Sequence, residues 1–311
     1  MTIHLVCPNP AVDRTLLIDD IQINIPNRPN EVMDSPGGKS FNVVHALTTE
    51  SLNQPYVVHT ILGGENGDRV KRLAKERRID LMITEIDSNT RECHILVDTK
   101  NETIIPVYEK GFQLDSKTLD HFTQRLVDAI HSDDIVVFSG SLMKGMPTNY
   151  INFVQQAVAD DSVKFIVDTS GAPLKSVVQE GKPYLIKIND EEYNELFSTQ
   201  LNTMSEFLTH MNQHLESFDN FIITLGSKGL VAKYQEAFYT IRTPHLVAKN
   251  PVASGDFLLA GLVRGIVLDQ SFESMIKRGV AYATDNVTHW FPHIEVERLD
   301  EWEQQIKIEK V

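Results

Sequence analysis

Short apolar runs recur along the chain at the length of buried strands. Residues 135–138, 165–167, 184–188 and 221–225 are almost wholly apolar, as strands covered on both faces must be. Between them lie segments whose apolar residues follow a helical period, such as 119–130 and 150–158. The run at 3–6 reads as a first strand. Strands alternating with helices predict an α/β fold, with a mostly parallel central sheet and helices on both faces.

Two stretches break this rhythm. Residues 13–35 carry short apolar runs with Pro26 and Pro29 but no good helix. Residues 91–107 read as a hairpin, with strands at 93–97 and 103–107 and a polar turn at 99–102. Both predict strands paired outside the main sheet. Together, about 13–35 and 91–107 form a small β-sheet lid beside candidate site residues, where a closing element is useful. The last third reads as helical: 253–267, 271–288 and a polar surface helix at 298–310. No repeat, low-complexity tract or Pro/Gly/Ser-rich linker divides residues 1–311, which read as one domain.

The chain has 311 residues, 41% hydrophobic and 23% charged, as expected of a globular protein. Its net charge of −14 argues against non-specific binding to nucleic acid or membrane. An anionic substrate would therefore need local cations, and Lys39, Arg91 and Lys187 are the candidates. Cys7 and Cys93 have no disulfide or metal-ligand spacing and read as free thiols in a reducing compartment. The N-terminus lacks a basic region followed by a long apolar run, so a cytoplasmic location is the expectation. The eleven histidines suggest no metal site.

The strongest chemical signal is Asn250-Pro251-Val252-Ala253-Ser254-Gly255-Asp256, followed at once by the apolar stretch 257–262. It puts small residues and a carboxylate at the start of a helix. Unpaired N–H groups and the positive end of the dipole suit an anion there. Asp256 is placed to take a proton from an attacking hydroxyl, although the same dipole should lower its pKa. An anion cradle beside a base is what phosphoryl transfer requires.

Further small constellations follow predicted strands, where open α/β sheets bind ligands. Asp13, after Asn9-Pro10-Ala11-Val12, could accept hydrogen bonds from sugar hydroxyls or form a turn. Gly37-Gly38-Lys39-Ser40-Phe41-Asn42 lets backbone approach a ligand closely and adds a point charge, without Walker A spacing. Arg91 could clamp a phosphate or pair with Glu92. Ser139-Gly140-Ser141 leaves room for a ligand or is a plain turn. In Lys187-Ile188-Asn189-Asp190-Glu191-Glu192, Asn189 and Glu192 have capping-box spacing; they could also organise water around a nucleotide-bound Mg²⁺. Thr224-Leu225-Gly226-Ser227-Lys228-Gly229 could border nucleotide phosphates. No Gly-x-Ser-x-Gly elbow and no Gly-x-Gly-x-x-Gly after the first strand points elsewhere.

These seven segments stand in the order found in ribokinase-like (PfkB) carbohydrate kinases. Over nearly its whole length the chain resembles their 1-phosphofructokinase and tagatose-6-phosphate kinase group. The resemblance implies a ribokinase-like fold and ATP-dependent phosphorylation of a ketohexose phosphate at a free primary hydroxyl, giving the bisphosphate. Tagatose 6-phosphate, fructose 1-phosphate and fructose 6-phosphate are the candidate acceptors. It implies Asp256 as general base and the Ala253, Ser254 and Gly255 backbone as anion hole. Asp13, Gly37, Gly38, Asn42 and Ser139 would hold the sugar, and Lys39 with Arg91 the phosphate it already carries. Lys187, Asn189, Glu192, Thr224, Gly226, Gly229 and Asn286 would line the nucleotide side. ATP and Mg²⁺ are implied, the ion held through ATP and water rather than by protein ligands, as is a homodimer through the lid. The chain departs from the family's usual glycine at Ser40 and Ala253, and in Thr288-His289-Trp290-Phe291-Pro292. Ser40 would narrow the sugar site, and a positive φ at Ala253 would cost about 1–2 kcal/mol. These departures keep open a non-catalytic sugar-phosphate sensor. A kinase of a free sugar or nucleoside is the other alternative.

Overall fold

Fourteen strands and ten helices follow one another in a computed structural model that describes residues 1–311. The strands are β1 (Ile3–Cys7), β2 (Ala11–Ile18), β3 (Glu31–Gly37), β4 (Tyr56–Gly63), β5 (Leu81–Ile86), β6 (Arg91–Asp98) and β7 (Thr103–Tyr108). They continue as β8 (Ile135–Ser139), β9 (Lys164–Asp168), β10 (Leu185–Asn189), β11 (Asn220–Thr224), β12 (Leu230–Tyr234), β13 (Ala237–Arg242) and β14 (Lys307–Lys310). The first five helices are α1 (Lys39–Thr49), α2 (Gly64–Glu76), α3 (Ser116–Ala129), α4 (Tyr150–Val158) and α5 (Gly171–Glu180). The others are α6 (Asp190–Phe197), α7 (Met204–His214), α8 (Ser254–Val267), α9 (Phe272–Asn286) and α10 (Leu299–Gln305). No helix is long and apolar enough to cross a membrane.

Ten strands form the main sheet in the order β14-β13-β12-β11-β10-β9-β8-β1-β4-β5. From β11 through β5 all neighbours are parallel. Alternate residues of a strand face opposite sides, and both sides are covered here. Ile3, Leu5, Val137 and Ile166 pack on one face with Val43 of α1, Leu258 and Leu262 of α8 and Ile276 of α9. Val6, Val136, Phe138 and Val167 pack on the other with Phe122 of α3, Tyr150 of α4 and Phe207 of α7. That double burial is why most positions in these strands are apolar. The chain runs outward from β1 in both directions, so a crevice opens at the carboxyl ends of β1 and β8, where such sheets bind ligands.

The expected lid is a separate four-stranded sheet, ordered β3-β2-β6-β7. β2 pairs antiparallel with β3, parallel with β6, and β6 antiparallel with β7. Leu17, Ile95 and Val97 form its small core, packed against Val252, Trp290 and Phe291 of the main body. Arg69 on α2 ties the lid down by pairing with Asp34 of β3 and with Glu92 of β6.

The expectation for the C-terminus needs correction. Residues 298–310 do not form one helix: α10 stops at Gln305, and β14 pairs antiparallel with β13. Without it, β13 would be an open edge with unpaired backbone groups. Ile306 is buried and Ile308 packs on the core, so tertiary pairing overrides a polar, helix-compatible composition.

Candidate active site

A cleft of about 1020 Å³ lies over the carboxyl ends of β1, β8, β9, β10 and β11 and under the lid. Most of the expected site residues reach its wall: Asp13, Gly38, Lys39, Asn42, Arg91, Ser139, Lys187, Asn189, Glu192, Thr224, Gly226, Gly229, Ala253, Ser254, Gly255 and Asp256. Gly37 and Asn286 do not.

At its centre is the N-terminus of α8. Ala253 caps the helix with φ 66° and ψ −3°, so the strain feared for a non-glycine residue at this position is present. The expected three-donor anion hole is narrower than the sequence suggested. Ser254 N–H is turned back onto the carbonyl of Pro251 at 3.2 Å, whereas the N–H groups of Ala253 and Gly255 have no acceptor in the protein. A Cβ at Gly255 would lie 2.8 Å from Lys187 Nζ, so glycine here leaves space for an ammonium beside residue 255.

Asp256 occupies the first turn of α8 and is 6% exposed. Its Oδ2 accepts a hydrogen bond from Asn42 Nδ2 at 2.8 Å. The helix dipole led us to expect a lowered pKa. Burial prevails instead and lifts the carboxyl above its usual range; Lys39, Lys187 and the Asn42 bond pull it back, and nearby Asp168 adds to the rise. A raised pKa makes the better base.

Asp168, at the end of β9, escaped the sequence reading. It is fully buried and accepts from Lys187 Nζ at 2.8 Å and from Lys39 Nζ at 2.7 Å. Burial opposes its charge, but the two ammonium groups hold its pKa below the usual range. The available signal was a carboxylate closing an apolar strand and followed by Thr169-Ser170-Gly171.

Lys39 sits differently from the expectation. Its Nζ pairs with Asp168 and lies 3.9 Å from Glu192 Oε1. Burial works against its charge, yet Asp168, Asp256 and Glu192 hold its pKa above the ordinary lysine value. Arg91 shares none of these partners. Its guanidinium is oriented by the carbonyls of Asn9 (3.0 Å), Pro10 (3.3 Å) and Glu109 (3.1 Å). The two cations thus face one cleft from separate stations rather than as a pair, because the buried Asp168 captures the lysine.

Asp13 faces the cleft from β2. Desolvation by the cleft wall pushes its pKa up to about 6, against the pull of Arg91 and of bonds from Gly38 N–H and Cys93. A Cβ on Gly37 would stand 2.3 Å from Asp13 Oδ1; that glycine makes room for the carboxylate rather than for a ligand. Ser40 does not narrow the cleft: it is fully buried, with its hydroxyl in reach of the carbonyls of Val6 (2.9 Å) and Ser139 (3.2 Å). Ser139 Oγ is buried without a partner.

On the other side, Asn189 and Glu192 do form a reciprocal capping box on α6. The box uses Asn189 Oδ1 and Glu192 Oε2 and leaves Glu192 Oε1 free toward Lys39. No three His, Cys, Asp or Glu side chains cluster as metal ligands. Single carboxylates at Asp190, Glu191 and Glu192 on the wall suit an ion that keeps most of its waters and is held through phosphates. Gly226 at φ 57° and Gly229 at φ 104° shape the turn after β11. At Gly229 a Cβ would meet the Ile241 carbonyl at 2.1 Å. Val280, Ala283 and Val287 of the α9 region add an apolar wall.

Asn286, expected to touch the nucleotide, is 1% exposed and faces away from the cleft. It donates to the carbonyl of Val252 at 2.9 Å and accepts from His293 N–H at 3.0 Å. Two histidine pairs stand four apart, a spacing the sequence reading passed over: His210 and His214 on α7, and His289 and His293 beyond α9. The His210 and His214 ring centroids lie 4.1 Å apart with the planes tilted by 30°, and His210 bonds to Tyr193, away from the cleft.

Residues 9–289 match the pfkB family carbohydrate kinases. The chain therefore belongs to the pfkB family of carbohydrate kinases and is a phosphotransferase. A tagatose-6-phosphate kinase of Staphylococcus epidermidis is 28% identical to it over 307 residues, 97% of this chain and 98% of the other. Escherichia coli phosphofructokinase-2, solved with substrates and products, matches with a TM-score of 0.89 at 19% identity, over 98% of this chain and 99% of that one. A Thermotoga maritima protein described as a possible 1-phosphofructokinase matches with a TM-score of 0.89 at 21% identity and covers 100% of both. At such identities the solved structures establish a shared fold, the ribokinase-like one.

Proposed function

We propose that the chain transfers the γ-phosphoryl group of ATP to a free primary hydroxyl of a ketohexose phosphate, giving a bisphosphate. The observation that carries this reading is the meeting of three things at the start of α8. They are the buried Asp256 carboxylate, the unpaired N–H groups of Ala253 and Gly255, and the Lys187 ammonium beside Gly255. The acceptor hydroxyl gives its proton to Asp256, whose raised pKa suits that task. Asn42 holds the receiving carboxylate in place. Charge on the transferring phosphoryl is met by the two N–H donors and by Lys187. Asp168 holds Lys187 and Lys39 at that point. When bound with ATP, Mg²⁺ would neutralise phosphate charge beside Glu192.

Asp13 takes sugar hydroxyls, and Arg91 meets the phosphate the acceptor already carries. The name of the Staphylococcus epidermidis relative, tagatose-6-phosphate kinase, supports a phosphorylated ketohexose. We assign Lys39 to the phosphoryl-transfer centre rather than to the acceptor's phosphate, since Asp168 and Glu192 are its partners. Exposed apolar side chains on the lid strands, Val32, Ile105, Val107 and Tyr108, favour a homodimer through that sheet. ATP and sugar phosphates as substrates fit a cytoplasmic location.

The test is turnover on tagatose 6-phosphate, fructose 1-phosphate and fructose 6-phosphate at matched ATP and Mg²⁺, with Asp256→Asn alongside. At least one substrate should be consumed, and Asp256→Asn should keep substrate binding while kcat drops by roughly 10²–10⁴-fold. An unchanged kcat removes Asp256 as the base. Binding of these sugars without ATP consumption favours the sensor reading, which the strained Ala253 motivates.

A further inference from the structure

We infer that Asn286 is a positioning residue that holds the Val252–Ala253 peptide unit with its N–H aimed into the cleft, against the conformational preference of Ala253. The inference rests on the reading of the α8 N-terminus as the phosphoryl site.

The peptide unit joining Val252 to Ala253 contains one of the two free donors of that site. Its geometry is trans, as no cis bond occurs in the chain, so its carbonyl and N–H point in opposite directions. Asn286 Nδ2 donates to that carbonyl at 2.9 Å. Holding the carbonyl on the buried side fixes the N–H on the cleft side. The amide of Asn286 is itself locked, because its Oδ1 accepts from His293 N–H at 3.0 Å. Rotating the amide would lose both bonds in a site that is 1% exposed.

A second asparagine repeats the device one residue back. Asn250, 2% exposed, accepts from Val252 N–H at 2.9 Å and donates to the Trp290 carbonyl at 2.7 Å. The segment after α9, which accepts from Asn250 at Trp290 and donates to Asn286 from His293, is anchored in turn by the fully buried Asp285. That carboxylate accepts from Glu295 N–H at 2.7 Å and Trp302 Nε1 at 2.9 Å and pairs with Arg298 at 3.2 Å. The donors of the anion site are therefore aimed from the far end of α9, not by α8 alone.

The need for this hold follows from the alanine. At φ 66° an L-residue is in the left-handed region, which only glycine occupies freely. A flip of the preceding peptide would carry φ of residue 253 to the negative side and relieve the strain. The same flip would turn the N–H away and present a carbonyl oxygen to the phosphoryl group. Asn286 opposes the flip by bonding only the unflipped carbonyl. With glycine in place of the alanine the flip would bring no relief, and the hold would matter less.

The experiment is a double-mutant cycle between Asn286→Ala and Ala253→Gly, with kcat and KM measured on the sugar phosphate the wild-type protein turns over. With Ala253 in place, Asn286→Ala should lower kcat by roughly 10- to 100-fold with little change in KM for the sugar. In the Ala253→Gly background, the loss should be smaller by roughly 5- to 30-fold, the left-handed strain expressed as a rate ratio. A merely structural role for Asn286 would not be relieved by a change at residue 253. Equal losses in both backgrounds overturn the proposal. Asn286→Asp, which keeps the side-chain volume and an acceptor for His293, should behave in the same way. If the Asn286 variants fail to fold with Ala253, Ala253→Gly must restore a folded, active double variant, and failure of that rescue also overturns the proposal. Asp256→Asn separates the two ideas: if it spares turnover, the site reading falls. If it abolishes turnover while the Asn286 losses are equal in the two backgrounds, only the present inference falls.

Discussion

Replacing Asp168 with asparagine removes one charge from a fully buried position and changes almost nothing in shape. In the wild-type protein that carboxylate balances two ammonium groups at 2.7 and 2.8 Å. Their environments differ. The Lys39 side chain is 37% exposed and can turn toward water, so its share of the pair is small. The Lys187 side chain is 5% exposed and cannot. A buried charge stripped of its partner costs about 3–5 kcal/mol, and the asparagine carbonyl recovers part of it as a hydrogen-bond acceptor. A net loss of about 3 kcal/mol, roughly 5 °C in Tm for a chain this long, is expected. Thermal unfolding of both proteins without ligand measures it. Repeating the scan at a fixed ATP concentration adds a second reading. The polyphosphate supplies the counter-charge that Lys187 has lost, so ATP should raise Tm more in Asp168→Asn than in wild type. A loss under about 1 kcal/mol, or an equal ATP shift, would refute the idea that Asp168 is what balances the Lys187 ammonium and holds it in place.

Two further outcomes concern pH. Asp13, pushed up to about 6, and Asp256, also raised by burial, both line the cleft. The acid limb of kcat/KM should therefore bend near pH 6, with activity lost as pH falls and both carboxyls protonate; a limb at about pH 4 would contradict the burial argument. At the opposite end of the sheet, His4 and His59 bond to each other at 2.9 Å, and His4 bonds to Asp134 at 3.0 Å. Burial lowers both pKa values, that of His59 to about 3. The unfolded chain then takes up protons first as pH falls below about 6.5, so stability drops. The drop from His59 is up to about 2 kcal/mol by about pH 5. Urea midpoints between about pH 7.5 and 5 should fall more steeply for wild type than for His59→Gln, and parallel slopes would count against the assignment.

Much of the architecture was legible because two-sided burial leaves a plain mark. A strand such as β8, covered by α1 on one side and by α4 on the other, is apolar until Ser139 at its cleft end. The lid strands were legible for the opposite reason: prolines and a polar turn at 99–102 interrupt any helical period. What escaped was set by distant pairing. Three of the residues 307–310 are charged, and only the open edge of β13 makes the segment a strand. In the site, position on the chain showed which residues stand after strands, but not which partner each one takes. Lys39 looked free until Asp168, far along the chain, was seen to hold it. The dipole argument for Asp256 was sound locally and was outweighed by burial, which no short motif reports. Asn286 was placed on the nucleotide side by the family resemblance alone; its amide turns inward to a carbonyl instead.

β1 has a further consequence, for how the molecule is made. It is a middle strand of the parallel sheet, with partners at 56–63 and 135–139. As synthesis proceeds, this apolar ribbon waits until residues 135–139 have been made before its second neighbour exists. Contacts so far apart in the chain form slowly and leave sticky edges uncovered meanwhile. Yield in a cell should therefore be set by how well that nascent ribbon is shielded from other chains, more than by the strength of the finished sheet.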